Sequence, residues 1–310
     1  MHHLHEDVLK KGFREAMRSP EDIQNLLAAV GLENLPKGIA ERLSKLSELK
    51  EGRRNSHFQD ALEISEIIDN LVVGDLSEKE MNELRQASLL HDVGKSGPAE
   101  ALLEEQDAYV EVFNFNFIHD HYQINDRQVV VPNLPLKQAL RIKVEEGVLS
   151  QERADDILKK ILSAGKRQKR LNLKTSINAT TPMIKFWSAH VYWTYDILQA
   201  EGIKERVTEV AASHHLIDGH DPAGVGLERA DISIASLEMA DKYQAFRIRL
   251  ILADKYQAFR TRSAKNHEEA VAILEKIILE KLFGKVQSLY LGVLKLIDEN
   301  KELLEKELEL

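Results

Sequence analysis

The chain has 310 residues and a mass of 35.3 kDa, a length that fits one large domain with an insertion or two modest domains. It contains no cysteine, which excludes disulfide bonds, thiolate metal sites and cysteine nucleophiles, so any metal must be held by nitrogen and oxygen atoms. The net charge of −9 argues against a surface that coats bulk nucleic acid. The 15 glycines, 7 prolines and 30% charged residues favour long helices.

The first fifty residues have a helical pattern, with a start at Ser19-Pro20 and a polar joint over residues 50–55. We therefore divide the chain into an N-terminal helical module (1–52), a main domain (53–280) and a C-terminal helix (281–310). The N-terminus has no apolar signal core, and no apolar run approaches the ~20 residues of a membrane helix. These features predict a cytoplasmic protein without a membrane partner.

Histidines lie on the inner faces of the first helices of the main domain. Apolar residues follow His57 at the spacing of one helix face, through position 71. Ser77 and Glu80 form a capping box that opens a second helix, and this helix buries His91 before Gly94 ends it.

An insertion over about residues 99–180 interrupts this pattern. Residues 109–117 alternate with period two, and residues 128–131 could pair with them across a turn at Asn125 and Asp126, which predicts a small β-hairpin. Two helices are predicted next, over 136–146 and over 151–164, the second between Ser150 and Gly165. The insertion is either a lid over a site or a docking surface.

Helical periodicity returns after the insertion and again places histidines among apolar residues. His190 shares a face with Phe186 and Trp193, and His214 shares one with Val207 and Val210. A long helical stretch is predicted from about 268 to the C-terminus.

Five histidines of the main domain lie within or at the end of predicted helices, at least four of them on an apolar face, and two aspartates stand close to them in the sequence. Burying several imidazoles and carboxylates costs several kcal/mol unless a shared partner satisfies them. A metal centre is the simplest such partner, and the candidate set is His57, His91, Asp92, His190, His214, His215 and Asp241.

The residues stand in a specific order: His57, then Leu89-Leu90-His91-Asp92-Val93-Gly94-Lys95, His190, the pair His214-His215, and Ala240-Asp241-Lys242-Tyr243. This series, over about residues 55–275, resembles the HD superfamily of metal-dependent phosphohydrolases, and its HD-GYP branch most of all. The resemblance implies an all-α helical bundle, here with the N-terminal module and the hairpin-containing insertion added.

The resemblance also implies two divalent metal ions, iron or manganese, bridged by Asp92. His57, His91 and Asp241 would complete the ligands of one ion, and the three later histidines, His190, His214 and His215, those of the other. Asp92 and Lys95 would be catalytic, with Lys95 facing the phosphate. The implied activity is hydrolysis of a phosphodiester in cyclic di-GMP or a related nucleotide.

The chain departs from the HD-GYP pattern in two places. Residues 218–224, Asp-Gly-His-Asp-Pro-Ala-Gly, keep the aspartate, glycine and proline of the branch's loop but lack its tyrosine. Arg53 stands where some members carry a glutamate for a third metal, so we expect two ions. The alternatives are an HD-type di-iron oxygenase and a catalytically degenerate module that binds metal or nucleotide and signals to a partner. A homodimer also stays open.

One motif occurs twice. Ala-Asp-Lys-Tyr-Gln-Ala-Phe-Arg occupies 240–247 and 253–260, so both Asp241 and Asp254 are candidate ligands. Thirteen residues of one helix rotate the second copy by roughly 220° and move it about 20 Å along the axis, so only one can serve. The interval after His215 favours Asp241. A second His-Asp doublet, His119-Asp120 followed by His121, is predicted to be surface polar.

Overall fold

The computed structural model describes residues 27–28, 32, 35–48, 56–71, 76–170, 175–256 and 263–301, with side chains left out at 170, 246–256 and 263–266. Three features of the sequence analysis lie outside these residues: the predicted helix start at Ser19, the polar joint over 50–55, and Arg53 within that joint. The side chain of Asp254 also lies outside the described part of the structure.

Within the described residues the protein is a helical bundle with one small antiparallel hairpin, which confirms the predicted all-α class. The helices and strands, in chain order, are α1 (Lys37–Ser47), α2 (His57–Leu71), α3 (Glu78–Leu90), α4 (Leu103–Phe113), β1 (His121–Ile124), β2 (Arg127–Val130), α5 (Leu136–Glu145), α6 (Gln151–Arg170), α7 (Met183–Ala200), α8 (Glu205–Ala212), α9 (Ile232–Tyr256), α10 (Ser263–Lys281) and α11 (Gly284–Glu299).

Apolar faces of the helices pack into a continuous core that includes Phe58, Leu84, Trp193 and Leu237, each no more than 1% exposed. Helix α9, the longest of the helices in the described ranges, contributes its first half to this core. A polar contact joins α9 to α2, where the Gln244 amide donates to the carboxylates of Asp60 and Glu63 at 3.1 and 3.0 Å. The first and last thirds of the chain therefore share one interior.

The predicted first strand of the hairpin is wrong. Residues 109–113 belong to α4, whose N-terminus is fixed by Glu105, a carboxylate that accepts from the amide of Leu102 at 2.9 Å. Tyr109 packs edge-on against Trp193 with ring centroids 5.2 Å apart. Burial of this helix face outweighed the local period-two pattern. The hairpin forms later in the chain, where β1 pairs with β2 and Asn125 and Asp126 make the predicted turn with positive φ.

Helix α6 continues past the predicted stop at Gly165 and ends at Arg170. Its predicted start is confirmed, since Ser150 Oγ accepts from the amide of Arg153 at 3.1 Å. Gly165 serves close packing instead of termination: a Cβ there would overlap the carbonyl oxygen of Ile177. The missing side chain lets the segment after α6 pass directly against the helix.

The predicted helical stretch at the C-terminal end consists of two helices. Helix α10 ends at Lys281, and α11 begins at Gly284, which has φ +59°. Glycine adopts this left-handed conformation without strain, so the chain can reverse there. None of the helices in the described ranges has both the length and the apolar content to cross a lipid bilayer.

Candidate metal centre

The His-Asp doublet lies just beyond the end of α3. This helix ends at Leu90, His91 and Asp92 form a turn, and a short 3₁₀ turn follows over Val93–Ser96. The predicted capping box at the start of α3 is confirmed, because Ser77 and Glu80 exchange hydrogen bonds. The capping box thus fixes the start of α3, and the end of α3 places the His-Asp doublet in the core.

Helix α7 docks onto this turn through Thr194. Its hydroxyl donates to the carbonyl oxygen of His91 at 2.8 Å and accepts from the amide of Gly94 at 3.0 Å. A Cβ at Gly94 would overlap the carbonyl oxygen of His190. Glycine at this position therefore allows the turn and α7 to approach so closely that His190 faces the doublet.

Four histidine rings have their Nδ1 atoms held in the same way. Nδ1 of His91, His190 and His214 lies 2.6, 2.5 and 2.7 Å from the carbonyl oxygen three residues earlier in the chain. His215 Nδ1 lies 3.0 Å from a carboxylate oxygen of Asp218. Because carbonyl and carboxylate oxygens only accept, each Nδ1 carries the proton and each Nε2 of a neutral ring presents a lone pair.

The Nε2 atoms converge. His190 Nε2 lies 3.0 Å from His214 Nε2, and the rings of His214 and His215 have centroids 4.5 Å apart. His190, His214 and His215 offer ligand atoms within 4.8 Å of one another, and so do His91, Asp92 and His214. Donor atoms bound ~2.1 Å from one ion at right angles lie ~3 Å apart, so these spacings suit metal coordination.

Asp92 contacts histidines of both groups. Its Oδ1 is 3.3 Å from His190 Nε2 and 3.9 Å from His214 Nε2, whereas its Oδ2 is 3.5 Å from His91 Nε2 and contacts the Lys95 ammonium. The two oxygens thus face different histidines. This is the arrangement that a carboxylate needs to bridge two ions.

The two remaining predicted ligands, Asp241 and His57, differ in how far the structure connects them to this cluster. Asp241 Oδ1, on α9, is 3.7 Å from His91 Nε2, so the first copy of the repeated motif reaches the site. His57 is the first residue of α2 and only 4% exposed, but its ring is not part of either tight group of ligand atoms in the described residues. His119, Asp120 and His121 are all exposed, at the start of the hairpin.

Burial and charge prepare these groups to bind a cation. Burial lowers the pKa of His190 to about 3 and that of His214 well below its usual value, although Asp92 acts in the opposite direction. Burial also opposes ionisation of Asp92, but Lys95 and the imidazoles outweigh it and hold the pKa of that carboxyl well below its usual range. Neutral rings around an ionised carboxylate are the protonation states that metal ligands require.

His91 and Asp241 form a second charged contact. Burial lowers the pKa of His91, but Asp92 and Asp241 outweigh it and raise that pKa above its usual value. Burial opposes ionisation of Asp241 too, and His91 and His215 more than compensate, so its pKa falls. His91 Nε2 is fully buried and has no hydrogen-bond partner among the described residues. Asp92 is buried and Asp241 is partly exposed, and the two carboxylates together favour a positive charge at His91 Nε2, either a proton on the ring or a metal ion beside it.

Sequence reasoning missed the residues that support His215. Asp218 accepts from His215 Nδ1, from Lys281 Nζ at 2.8 Å and from Lys242 Nζ at 2.5 Å. Glu238, with no exposed surface, accepts from the amide of Ile217 at 2.9 Å and from the Tyr290 hydroxyl at 2.8 Å. The signal available in the sequence was an aspartate three residues after a predicted ligand. Its other partners come from α9 and α10, which no local pattern indicates.

The fold and the site together define an all-α protein with a buried histidine-carboxylate cluster suited to metal ions. Comparison of the chain with protein families, with curated proteins and with solved structures gives no match. The chemistry of the cluster therefore has to be inferred from its own geometry.

Proposed function

We propose that the chain is a metal-dependent phosphodiesterase with a binuclear centre, acting on cyclic di-GMP or a related nucleotide. The observation that carries this proposal is the common orientation of four imidazoles. Each is held by its Nδ1 proton, and the Nε2 atoms converge beside a carboxylate whose two oxygens face different rings.

The donor set fits two divalent ions. Lone pairs on His190 and His214 Nε2, 3.0 Å apart, repel each other unless a cation lies beside both. Asp92 with His190, His214 and His215 would hold one ion, and Asp92 with His91, Asp241 and His57 the other. Nitrogen and oxygen ligands without sulfur suit iron or manganese. Divalent ions in such a site supply a water of lowered pKa and neutralise charge that develops on phosphoryl oxygens.

Lys95 supports hydrolysis as the reaction. Its ammonium contacts Asp92 and its side chain is 20% exposed, so it lies between the buried cluster and solvent. A substrate phosphate that reaches the cluster passes this point charge, which can orient a phosphoryl oxygen and stabilise added negative charge on it. The Nδ1–H groups of the histidines donate to carbonyl and carboxylate oxygens, so these hydrogen bonds fix the direction of each Nε2 atom and the rings do not transfer protons from Nδ1.

The test combines metal analysis of anaerobically prepared protein with a panel of phosphodiesters that includes cyclic di-GMP. We expect about two iron or manganese ions per chain and release of linear dinucleotide or mononucleotide. An oxygen-dependent change in a mixed-valent iron signal, without hydrolysis, would favour the di-iron oxygenase. Bound metal without turnover of any candidate would favour the degenerate binding module.

A further inference from the structure

An open cleft of about 560 Å³ lies beside the histidine cluster. One wall is the segment over residues 175–182, which ends the insertion. The other is the first half of α7, where Lys185, Ser188, Ala189 and Tyr192 share one helix face, and His220 also lines the cleft. This volume suits a group the size of a phosphorylated sugar.

The wall made by the insertion is held in place by the protein's own hydrogen bonds. Thr181 Oγ1 accepts from the amide of Asn178 at 2.9 Å, and Asn178 Oδ1 accepts from the amide and the hydroxyl of Thr180, both at 2.8 Å. The amide of Leu136 donates to the carbonyl of Thr181 at 2.8 Å, which fastens the turn to α5. The cleft is therefore formed in advance of any ligand.

The lining favours a ligand with both negative charge and hydroxyl groups. Although the chain has a net charge of −9, none of the described residues that line the cleft carries a carboxylate, and Lys185 supplies a positive charge. The side-chain oxygens of Asn178 and Thr181 already accept hydrogen bonds from backbone amides. The side-chain NH₂ of Asn178 and the hydroxyl proton of Thr181 can therefore donate to a ligand. Donors and a cation suit phosphate oxygens, and the neighbouring serine and threonine hydroxyls suit those of a sugar.

The cleft is next to the cluster. Ala189, in its wall, immediately precedes His190 in α7. The ring of His220 has its centroid 6.1 Å from that of Tyr192 and 6.5 Å from that of His215. A ligand in the cleft therefore lies beside His190 and His215, two of the residues that would hold one of the ions.

We propose that this cleft binds the sugar-phosphate unit of the substrate that adjoins the scissile phosphodiester. The insertion is then a wall of the substrate site. This inference rests on the proposed function for the identity of the substrate. Binding of a sugar phosphate by the cleft can nevertheless be measured independently of turnover.

The test uses isothermal titration of the metal-loaded full chain with ribose 5-phosphate, and with inorganic phosphate as a second probe. Lys185→Glu should weaken ribose 5-phosphate binding by about tenfold or more, whereas Lys185→Arg should stay within about twofold of the parent chain. The matched control is Lys285→Glu, because Lys285 is exposed on α11 and does not line the cleft. It should bind as the parent does. Ser188→Phe, which fills the cleft, should weaken ribose 5-phosphate binding and spare inorganic phosphate held at the ions.

Equal binding by Lys185→Glu and Lys285→Glu would overturn the inference, and so would unaltered ribose 5-phosphate binding by Ser188→Phe. Metal content and phosphodiester turnover are measured on the same samples, because they test the proposed function, whereas the titrations test binding by the cleft. If the chain takes up no metal and shows no turnover, but Lys185→Glu still weakens ribose 5-phosphate binding, the result would support sugar-phosphate binding by the cleft and refute the phosphodiesterase. If the chain is an active phosphodiesterase and Lys185→Glu does not change its KM, the proposed role of the cleft is wrong and the proposed function stands.

Discussion

The same dipeptide, His-Asp, occurs in two regions of the molecule with opposite environments. His91-Asp92 is buried at the end of α3, with His190 Nε2 3.3 Å from its carboxylate, whereas His119-Asp120 is exposed before β1. The difference lies in what other parts of the chain bring to each doublet. Helix α7 and the turn after α8 bring three further imidazoles to the first. A doublet becomes a candidate site through long-range packing, which its own two residues do not encode.

The largest expected effect tests this contrast directly. Asp92→Ala removes the carboxylate whose two oxygens face different histidines, so we expect loss of both metal ions. Asp120→Ala makes the same chemical change in the exposed doublet and should leave the metal content unaltered. Elemental analysis of the two purified variants measures this. Full metal content in Asp92→Ala would show that the bridging assignment is wrong.

The second prediction concerns the close approach that brings His190 to the doublet. Gly94→Ala places a methyl group on the carbonyl oxygen of His190, so the turn and α7 must separate. Overpacking of this kind should lower the free energy of unfolding by roughly 1–3 kcal/mol, measured by urea denaturation.

The control for Gly94 is a glycine with room for a side chain. Gly292, inside α11, has no atom within 4 Å of an added Cβ. Gly292→Ala should therefore raise the free energy of unfolding by roughly 0.5–1 kcal/mol, because alanine loses less conformational entropy in a helix. If both substitutions shift the urea midpoint in the same direction, close packing at Gly94 is not what positions α7.

A smaller effect is expected from the residue that orients His215. Asp218→Ala removes the acceptor of the His215 Nδ1 proton and should weaken metal affinity by roughly 10- to 100-fold, measured by competition with a chelator. Lys281→Met removes only a half-exposed cation from Asp218 and should change affinity by less than about twofold. Equal affinities in the two variants would mean that Asp218 does not orient the ring.

Local sequence patterns predicted much of the bundle because most of its helices are specified by their own residues. The capping box at Ser77 and the apolar face around His190 both depend on neighbours within a few positions. The prediction of the first strand of the hairpin was wrong for the opposite reason. Tyr109 alternates with its neighbours as a strand residue would, but its burial against Trp193, over eighty positions away, makes that segment helical.

The cluster could be anticipated in part. Helical spacing placed His91, His190 and His214 on inner faces, and the order of the motifs indicated which carboxylates accompany them. Spacing does not encode the atoms that orient the rings. Three of the acceptors are backbone carbonyls, available to any residue type, and the fourth is Asp218, whose own partners lie on α9 and α10.

A prediction about pH dependence extends the comparison to a buried acid outside the cluster. Burial raises the pKa of Glu238 to about 8, although Lys242, the Tyr290 hydroxyl and the amide of Ile217 act in the opposite direction. The folded chain therefore keeps a proton that the unfolded chain releases near its ordinary pKa of ~4.3. Stability should fall as the pH rises from that value through about 8, with a slope of at most ~1.4 kcal/mol per pH unit from this group.

Glu238→Gln should abolish this contribution, because glutamine keeps the shape of the protonated acid and does not titrate. Urea denaturation at a series of pH values from 5 to about 8.5 should show the variant gaining stability over the parent chain as the pH rises. If the difference between the two stays constant across that range, Glu238 does not change its protonation on unfolding. Its carboxylate would then be ionised in the folded protein, compensated by Lys242, and the contrast with the ionised carboxylates of the cluster would disappear.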